Sequence, residues 1–238
     1  MIGVLYICTG KYSSFWKDFF ISAENFFLPS FEKKYFVFTD AEEIYAEKNG
    51  NVKKIYQQFL GWPFDTLMRF DIFLKSEGEL QNCDYLFFLN ANIRFVTSVY
   101  TEILPDDYHD GLVGVVHPYF WDKDNSDFSY ERNNLSTASI AHGDGKSYFM
   151  GGFNGGKTDA FLTLIHTLSS NIQIDLENKI IALWHDESHL NKYLLFKNPL
   201  ILPPSYGYPE GSDLHFEPKV IILDKLKYGG HSYLRSAK

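Results

Sequence analysis

The sequence has few cysteines and no long apolar run. Its 238 residues include only Cys8 and Cys83, too few for the disulfide framework of a small secreted domain. No apolar stretch approaches the roughly 20 residues of a membrane-spanning helix, and the N-terminus shows no basic region or cleavage site of a secretion signal. We therefore expect no transmembrane segment and, by default, a cytoplasmic location.

Positive charge is also scarce. The chain carries 22 Lys and Arg against 30 Asp and Glu, a formal net charge of −8. This balance argues against nucleic acid as a partner, because such binding depends largely on Lys and Arg contacts to phosphates. A phosphorylated small ligand would need a local basic pocket, and the C-terminal segment offers Lys225, Lys227 and Arg235 for one.

Short apolar, β-prone segments alternate with segments of helical spacing. We predict strands at 2–8, 35–39, 52–56, 84–89, 112–117, 148–154 and 220–224, and helices at 15–27, 66–75, 158–168 and 185–195. This alternation predicts an α/β fold. No linker or repeat interrupts it, so we expect a single domain over residues 1–238. Residues 121–146, rich in Asn, Asp, Ser and Gly, are predicted to form a long surface loop.

A glycine-rich segment matches the phosphate-loop pattern of nucleotide hydrolases. Four residues separate Gly151 from Gly156, which is followed by Lys157 and Thr158, between a predicted strand and helix. Asp224, after another apolar run, could contact magnesium in such a site. Such a loop normally opens its domain, whereas 150 residues precede Gly151 here. A nucleotide hydrolase is therefore an alternative with weaker support.

Two acidic residues follow a tryptophan near the start of the last predicted helix. His185 and His189 have the spacing of a helical zinc site, but Asp186 stands where a metalloprotease has the longer Glu, and no third ligand is evident. Trp184 with Asp186 and Glu187 also suits a sugar, whose apolar face stacks on an indole while carboxylates act on its polar edge. The motif fits an exposed helix start equally well, since acids are favourable there.

Two asparagines follow the most apolar strand. Asn90 and Asn92 are two residues apart in an extended segment, so both amides would point into the crevice at the carboxyl edge of the sheet. Two aspartates there would suit a divalent metal, but neutral amide oxygens cannot offset the charge of the ion. The pair also fits a simple turn after a strand.

Taken in order, these segments resemble glycosyltransferase family 6. This family of retaining enzymes includes the histo-blood-group A and B transferases and the α-1,3-galactosyltransferases. The segments that carry the resemblance are 35–40, 84–92, 104–105, 117–118, 128–132, 151–156 and 184–193. The resemblance implies the single-domain GT-A fold of nucleotide-diphosphosugar transferases, with a mostly parallel sheet flanked by helices. The double glycines belong to the family's pattern, which disfavours the nucleotide hydrolase.

The resemblance also implies a reaction. Family members move Gal or GalNAc from UDP to the 3-hydroxyl of a β-galactoside and retain the α configuration. A glycine at position 152 leaves space for an acetamido group, so we expect UDP-GalNAc as donor, with UDP-Gal as the alternative because Met150 resembles the galactose-using form. The expected acceptor is an oligosaccharide ending in a β-galactoside with fucose on its 2-hydroxyl. The chain looks like the short bacterial members of the family.

Individual roles follow from the same resemblance. Glu187 is implied as the catalytic carboxylate, either a covalent nucleophile or an electrostatic stabiliser. His117 and Trp184 are implied to hold the acceptor. The implied donor-binding residues are Ile7, Thr9, Tyr12, Arg69, Asp71, Asn90, Ala91, Asn92, Met150, Gly151, Gly152 and Asp186.

Asn90 and Asn92 stand where most members have the metal-binding Asp-x-Asp. We therefore expect no metal cofactor, as in similar bacterial members with Asn-x-Asn. We hypothesise that a basic tail, at about 219–238, packs over the donor site, where Lys225, Lys227 and Arg235 stabilise the departing UDP. A non-catalytic sugar-binding module that has lost its metal carboxylates is a further alternative.

Overall fold

The computed structural model describes residues 1–236, so Ala237 and Lys238, the end of the predicted domain and tail, lie outside the described residues. The strands are β1 (Ile2–Ile7), β2 (Lys33–Thr39), β3 (Val52–Tyr56), β4 (Tyr85–Leu89), β5 (Ile93–Phe95), β6 (Leu112–Val116), β7 (Phe149–Lys157), β8 (Leu200–Leu202), β9 (Tyr208–Pro209) and β10 (Val220–Ile222). The helices are α1 (Trp16–Phe26), α2 (Phe64–Leu67), α3 (Arg69–Leu74), α4 (Glu77–Leu80), α5 (Thr158–Glu177), α6 (Asp186–Leu194) and α7 (Gly230–Leu234). Turns of 3-10 helix lie at Gly10–Phe15, Thr101–Ile103, Asp107–His109, Asn125–Asp127, Pro204–Tyr206 and Lys225–Tyr228.

The main sheet has seven strands in the order β3-β2-β1-β4-β7-β6-β8. Strands β3, β2, β1 and β4 are parallel neighbours, as are β6 and β8, whereas β7 runs antiparallel between β4 and β6. This confirms the α/β class with a mostly parallel sheet. Because β7 is reversed, its first half lies beside the carboxyl end of β4, and Asn90 N–H donates to Gly152 O at 2.9 Å.

Helices cover both faces of this sheet. On one face, α1 packs Trp16 and Phe19 against Tyr6, whose ring centroid is 4.3 Å from that of Phe19. On the other, Phe73 of α3 and Ile165 of α5 belong to a second buried cluster. Strands buried on both faces are apolar along their whole length, which explains the continuous apolar runs in the sequence. Within residues 1–236, no helix combines the length and the apolar character needed to cross a membrane.

A smaller sheet, β5-β10-β9, holds the C-terminal part of the chain next to the main sheet. Strand β10 pairs antiparallel with β5, which follows directly after the Asn90-Asn92 turn. The strand predicted at 220–224 is shorter in the structure, where it is β10 (Val220–Ile222), and it belongs to the smaller sheet. Its position brings the residues that follow it to the end of β4.

The glycine-rich segment is not a phosphate loop, because it lies inside β7. A Cβ atom at Gly155 would be 2.4 Å from Leu86 O, and one at Gly156 would be 2.2 Å from Gly111 O. These glycines therefore allow close approach of neighbouring strands. Lys157 Nζ pairs with Asp107 at 2.6 Å, so the nucleotide-hydrolase interpretation is wrong.

Three other predicted elements differ in extent. The helix predicted at 66–75 is interrupted at Met68 and forms α2 and α3, while the helix predicted at 158–168 continues to Glu177. The segment 121–146 is indeed mostly irregular, but it is not confined to the surface. Phe128, Tyr130 and Ile140 are buried together with Tyr148, because their large apolar side chains cover the end of the sheet.

Candidate active site

A cleft of about 250 Å³ opens at the edge of the main sheet where β1 and β4 end and β7 begins. The amino end of α6 forms one side of it, and the C-terminal segment forms the other. The predicted residues that line it are Ile7, Thr9, Tyr12, Arg69, Asn90, Ala91, Gly151, Gly152, Trp184, Asp186, Glu187, Lys225 and Arg235. Ligands of open α/β sheets bind at this edge because the carboxyl ends of several strands meet there.

A buried ion pair forms the floor of the acidic side. Arg69 Nε lies 3.0 Å from Asp186 Oδ2, and Arg69 Nη1 donates to Gly151 O at 2.7 Å. The guanidinium also lies 4.2 Å from the ring centroid of Phe88. Burial raises the pKa of Asp186 to about 6 although Arg69 opposes the shift. Asp186 Oδ1 is buried without a hydrogen-bond partner among residues 1–236, so it can still accept a hydrogen bond.

Glu187 is held by two donors. Gly151 N–H donates to its Oε2 at 2.6 Å, and the Tyr148 hydroxyl donates to its Oε1 at 2.9 Å. Burial raises the pKa of Glu187 to about 7, whereas both donors favour the ionised form. The carboxylate is therefore fixed in place. Its pKa near 7 lets it bind or release a proton close to neutral pH, a property common among catalytic groups.

The turn before α6 places this acidic pair. His185 has a left-handed backbone with φ of 55°, and Trp184 N–H donates to Ser188 Oγ at 2.9 Å. The turn leaves Trp184 with 48% of its surface exposed at the mouth of the cleft while Asp186 and Glu187 point inward. His185 therefore does not share a helix face with buried His189, and no group of three possible metal ligands among His, Cys, Asp and Glu occurs in the part of the chain that the structure describes. The metalloprotease interpretation is wrong.

The other side of the cleft is basic. Lys225 Nζ lies 5.4 Å from the ring centroid of Tyr12, and the Arg235 guanidinium lies 3.5 Å from that of Trp62. Burial, together with repulsion from Arg235 and Arg69, lowers the pKa of Lys225 to about 8. Neither Lys225 nor Arg235 forms an ion pair with a carboxylate of residues 1–236. Uncompensated, partly desolvated cations attract an anion such as a diphosphate.

The two asparagines have different roles. Asn90 lines the cleft, but Asn92 is only 2% exposed and does not. Asn90 Nδ2 donates to Asn92 Oδ1 at 3.0 Å, and Asn92 Nδ2 donates to Leu223 O at 2.9 Å. The side-chain oxygen of Asn92 thus accepts a hydrogen bond from Asn90, and both amide oxygens are neutral, so the pair does not provide the charged oxygens that a divalent ion prefers.

Some predicted residues lie away from the cleft because of helix geometry. Asp71 is two positions after Arg69 on α3, so it faces α5, where Ser169 and Gln173 donate to its carboxylate. Lys227 is two positions after Lys225 and pairs with Glu210 at 2.9 Å.

Two more predicted residues, Met150 and His117, do not line the cleft. Met150 belongs to β7, is 5% exposed and packs its side chain in the first buried cluster. His117 packs between aromatic rings, with its ring centroid 5.7 Å from that of Tyr148, and burial lowers its pKa to about 4. His117 is half-buried, and the Tyr148 ring that it contacts carries the hydroxyl that donates to Glu187.

Several residues that were not predicted for the site also line the cleft: Trp62, Asp65, Thr66, Phe88 and His185. Trp62 is 45% exposed, and its ring lies 4.7 Å from that of His185. A tryptophan between Gly61 and Pro63, in a turn where a core aromatic is not expected, could have indicated a binding role. No sequence pattern around Asp65 indicated a binding role. Its carboxylate accepts hydrogen bonds from Leu60 N–H at 2.7 Å and from the Thr9 hydroxyl at 3.4 Å.

Comparison with known proteins agrees with this geometry. The family model "Glycosyltransferase family 6" matches residues 1–228. The O-antigen biosynthesis glycosyltransferase WbnI of Escherichia coli is 38% identical over 226 residues, which are 94% of this chain and 95% of that protein. Histo-blood group ABO system transferase 1 of Rattus norvegicus is 33% identical over 217 residues, 88% of this chain and 61% of that protein. Globoside alpha-1,3-N-acetylgalactosaminyltransferase 1 of Mus musculus is 29% identical over 234 residues, which are 95% of this chain and 66% of that protein.

Proposed function

This chain belongs to glycosyltransferase family 6, and we propose that it transfers GalNAc from UDP-GalNAc to the 3-hydroxyl of a terminal β-galactoside with retention of the α configuration. The proposed acceptor carries fucose on the 2-hydroxyl of that galactose, and the proposed reaction needs no divalent metal. The observation that carries this proposal is the division of one cleft into an acidic side, Asp186 and Glu187, and a basic side, Lys225 and Arg235.

The basic side suits the diphosphate. An anion there would relieve the repulsion between Lys225 and its cationic neighbours, which lowers the pKa of Lys225 in the unliganded protein. Negative charge on the departing UDP grows as the bond to the sugar breaks, so fixed cations stabilise the transition state more than the ground state. This supports a reaction in which Lys225 and Arg235 perform the task that a metal ion performs in Asp-x-Asp members of the family.

The acidic side suits the anomeric carbon. In one route, Glu187 forms a bond to that carbon as the bond to UDP breaks. The acceptor hydroxyl then displaces Glu187 and gives its proton to the UDP phosphate, so two inversions give net retention. In the other, Glu187 stabilises an oxocarbenium-like transition state while the departing phosphate takes the proton of the acceptor hydroxyl. Both routes require ionised Glu187, which the Gly151 N–H and the Tyr148 hydroxyl favour despite burial.

Gly152 supports GalNAc as the transferred sugar. It lines the cleft, and a Cβ atom there would lie 3.0 Å from Met150 Cε and 3.4 Å from Asn90 Cβ, so a larger residue would occupy the space in front of Asn90. The mouse relative is named as an N-acetylgalactosaminyltransferase, which supports the same donor. UDP-Gal is the alternative donor, and the experiment must distinguish it from UDP-GalNAc.

The test is the mass of the product. Purified protein is incubated with 2′-fucosyllactose and either UDP-GalNAc or UDP-Gal, each with excess EDTA or with manganese, and with the Glu187→Gln variant as control. We expect addition of one N-acetylhexosamine by the wild-type protein in EDTA. Product only with manganese would contradict metal independence, product only with UDP-Gal would contradict the donor, and binding of the acceptor without any transfer or UDP release would indicate a sugar-binding module.

A further inference from the structure

The side chain of Asn92 connects the end of β4 to the C-terminal segment. Asn92 Nδ2 donates to Leu223 O at 2.9 Å, and Leu223 N–H donates to Asn92 O at 2.8 Å. Asn92 is 2% exposed and Leu223 is 3% exposed, so water cannot replace these bonds. We call this pair of hydrogen bonds the Asn92-Leu223 clasp.

Chemistry determines the orientation of the Asn92 amide. A backbone carbonyl only accepts hydrogen bonds, so the NH2 group of Asn92 must face Leu223 O. Its oxygen then accepts from Asn90 Nδ2 at 3.0 Å. An aspartate carboxylate at position 92 could still accept from Asn90, but it could not donate to Leu223 O, and two acceptors would face each other in a buried position.

The clasp is two residues from Lys225. Between them, Asp224 N–H donates to Glu210 Oε2 at 2.9 Å, and the Asp224 side chain accepts Leu226 N–H at 2.9 Å. These bonds start the 3-10 turn Lys225–Tyr228 immediately after Asp224. A shift of Leu223 would therefore move Lys225 relative to Tyr12 and the cleft.

We propose that Asn92 is a positioning residue, whose amide holds the C-terminal segment so that Lys225 reaches the diphosphate of the donor. Asparagine is then required at position 92 as a hydrogen-bond donor, and it is not a weakened metal ligand. The proposal rests on the proposed function in one respect, that Lys225 contacts UDP.

A double-mutant cycle tests this coupling. The affinity for UDP is measured by calorimetry in EDTA for wild type, Asn92→Asp, Lys225→Ala and the double variant. We expect Asn92→Asp to weaken UDP binding by at least about tenfold in the wild-type background, because the loss of a buried hydrogen bond is of that size. In the Lys225→Ala background it should change binding by less than about threefold, since residues that act through one contact are not additive.

Kinetics provide a second readout. The kcat/KM for the sugar donor should fall in Asn92→Asp while the KM for the acceptor stays unchanged, a split that general loss of structure would not produce. Asn198→Asp is a control for the chemical change alone, because the Asn198 amide also donates to a distant carbonyl, Tyr108 O at 2.8 Å, but is exposed and lies outside the cleft. If Asn92→Asp does not fold, Asn92→Ala removes the donor without a buried charge and takes its place in the cycle.

Three outcomes would overturn the inference. Unchanged UDP affinity in the Asn92 variant, equal losses in both backgrounds, or a gain in UDP affinity of Asn92→Asp on addition of manganese would each show that position 92 acts in another way. If wild-type protein failed to bind UDP, the proposed function would fall together with this inference; if wild type binds UDP and only the Asn92 result differs, the inference alone falls.

Discussion

The two sides of the cleft differ in how the protein prepares them for a ligand. On the acidic side, Glu187 accepts two hydrogen bonds and Asp186 pairs with Arg69, so each carboxylate already has protein partners. On the basic side, Lys225 and Arg235 have no carboxylate partner within residues 1–236, and Arg235 Nε is buried without an acceptor. The acidic side is therefore organised before the ligand arrives, whereas the basic side depends on an anion to balance its charge.

The position of each side in the fold accounts for this difference. The acidic residues lie on α6 and beside β7, and Leu190 and Leu194 anchor α6 in the second buried cluster. The basic residues lie on a short 3-10 turn and at the end of the five-residue helix α7. A site built on long buried elements keeps its geometry without a ligand, while short terminal elements gain more from ligand contacts.

The largest expected effect comes from Glu187→Gln. We expect turnover to fall by about 10²–10⁴-fold, because the negative charge beside the anomeric carbon is lost. Stability should change little, since the Gln oxygen can accept from Gly151 N–H and its NH2 group can donate to the Tyr148 oxygen. Turnover and UDP affinity are measured together; near-normal turnover would contradict both roles of Glu187, and unchanged UDP affinity would show that the basic side is intact.

Lys225→Ala should have the next largest effect. We expect about 10²-fold lower turnover and weaker UDP binding, because one fixed cation near the leaving group is removed. Binding of UDP to wild type should also weaken above about pH 8, where Lys225 loses its proton, and this dependence should be absent in the variant.

Lys227→Ala is the matched variant for that experiment. Lys227 lies on the same turn but pairs with Glu210 at 2.9 Å, so we expect turnover close to that of wild type. Equal losses in the two variants would mean that the segment contributes general positive charge and that the particular contact of Lys225 is unimportant.

Gly152→Ala should change the choice of donor. We expect the use of UDP-GalNAc relative to UDP-Gal to fall by about tenfold or more, because the added methyl group occupies space for the acetamido group. Gly151→Ala is the comparison: a Cβ atom there would lie 3.1 Å from Glu187 Cβ and 3.3 Å from Asp186 Oδ2, so use of both donors should fall together. The measurement is kcat/KM for each donor in both variants. If the ratio of kcat/KM for UDP-GalNAc to that for UDP-Gal were unchanged in Gly152→Ala, the proposed role of Gly152 would be contradicted.

The smallest expected effect is on stability. The pKa of Glu187 is raised to about 7, above its value in an unfolded chain, so the folded state binds this proton more tightly. Protonation therefore stabilises the fold below about pH 4 and this contribution is lost as the pH rises through 7. The Tm of Glu187→Gln minus that of wild type should increase by a few degrees between pH 4 and 7.5. A constant difference in thermal melts would mean that folding does not raise the pKa of Glu187.

Local patterns in the sequence were sufficient for much of the fold. Apolar runs and helical spacing predicted the strands and most helices of the main sheet, because those periodicities follow from the geometry of each element. They failed where long-range packing decides, as in the helix interrupted at Met68 and the buried aromatics of segment 121–146. The resemblance implies that both Arg69 and Asp71 bind the donor, but in the structure only Arg69 lines the cleft, and Asp71 is hydrogen-bonded to Ser169 and Gln173 of α5.

By itself, the sequence determined the α/β class, the family and the chemical types available to the site: two carboxylates, a tryptophan, two amides and a basic C-terminal segment. Only the tertiary structure decided which of these groups meet and how they are charged. Three features arise from contacts between distant parts of the chain: the pKa of Glu187 near 7, the cations that lack a carboxylate partner within residues 1–236, and the clasp between Asn92 and Leu223, 131 positions apart. Such contacts depend on burial and on which hydrogen-bond partners packing provides, and no local pattern of residues encodes them.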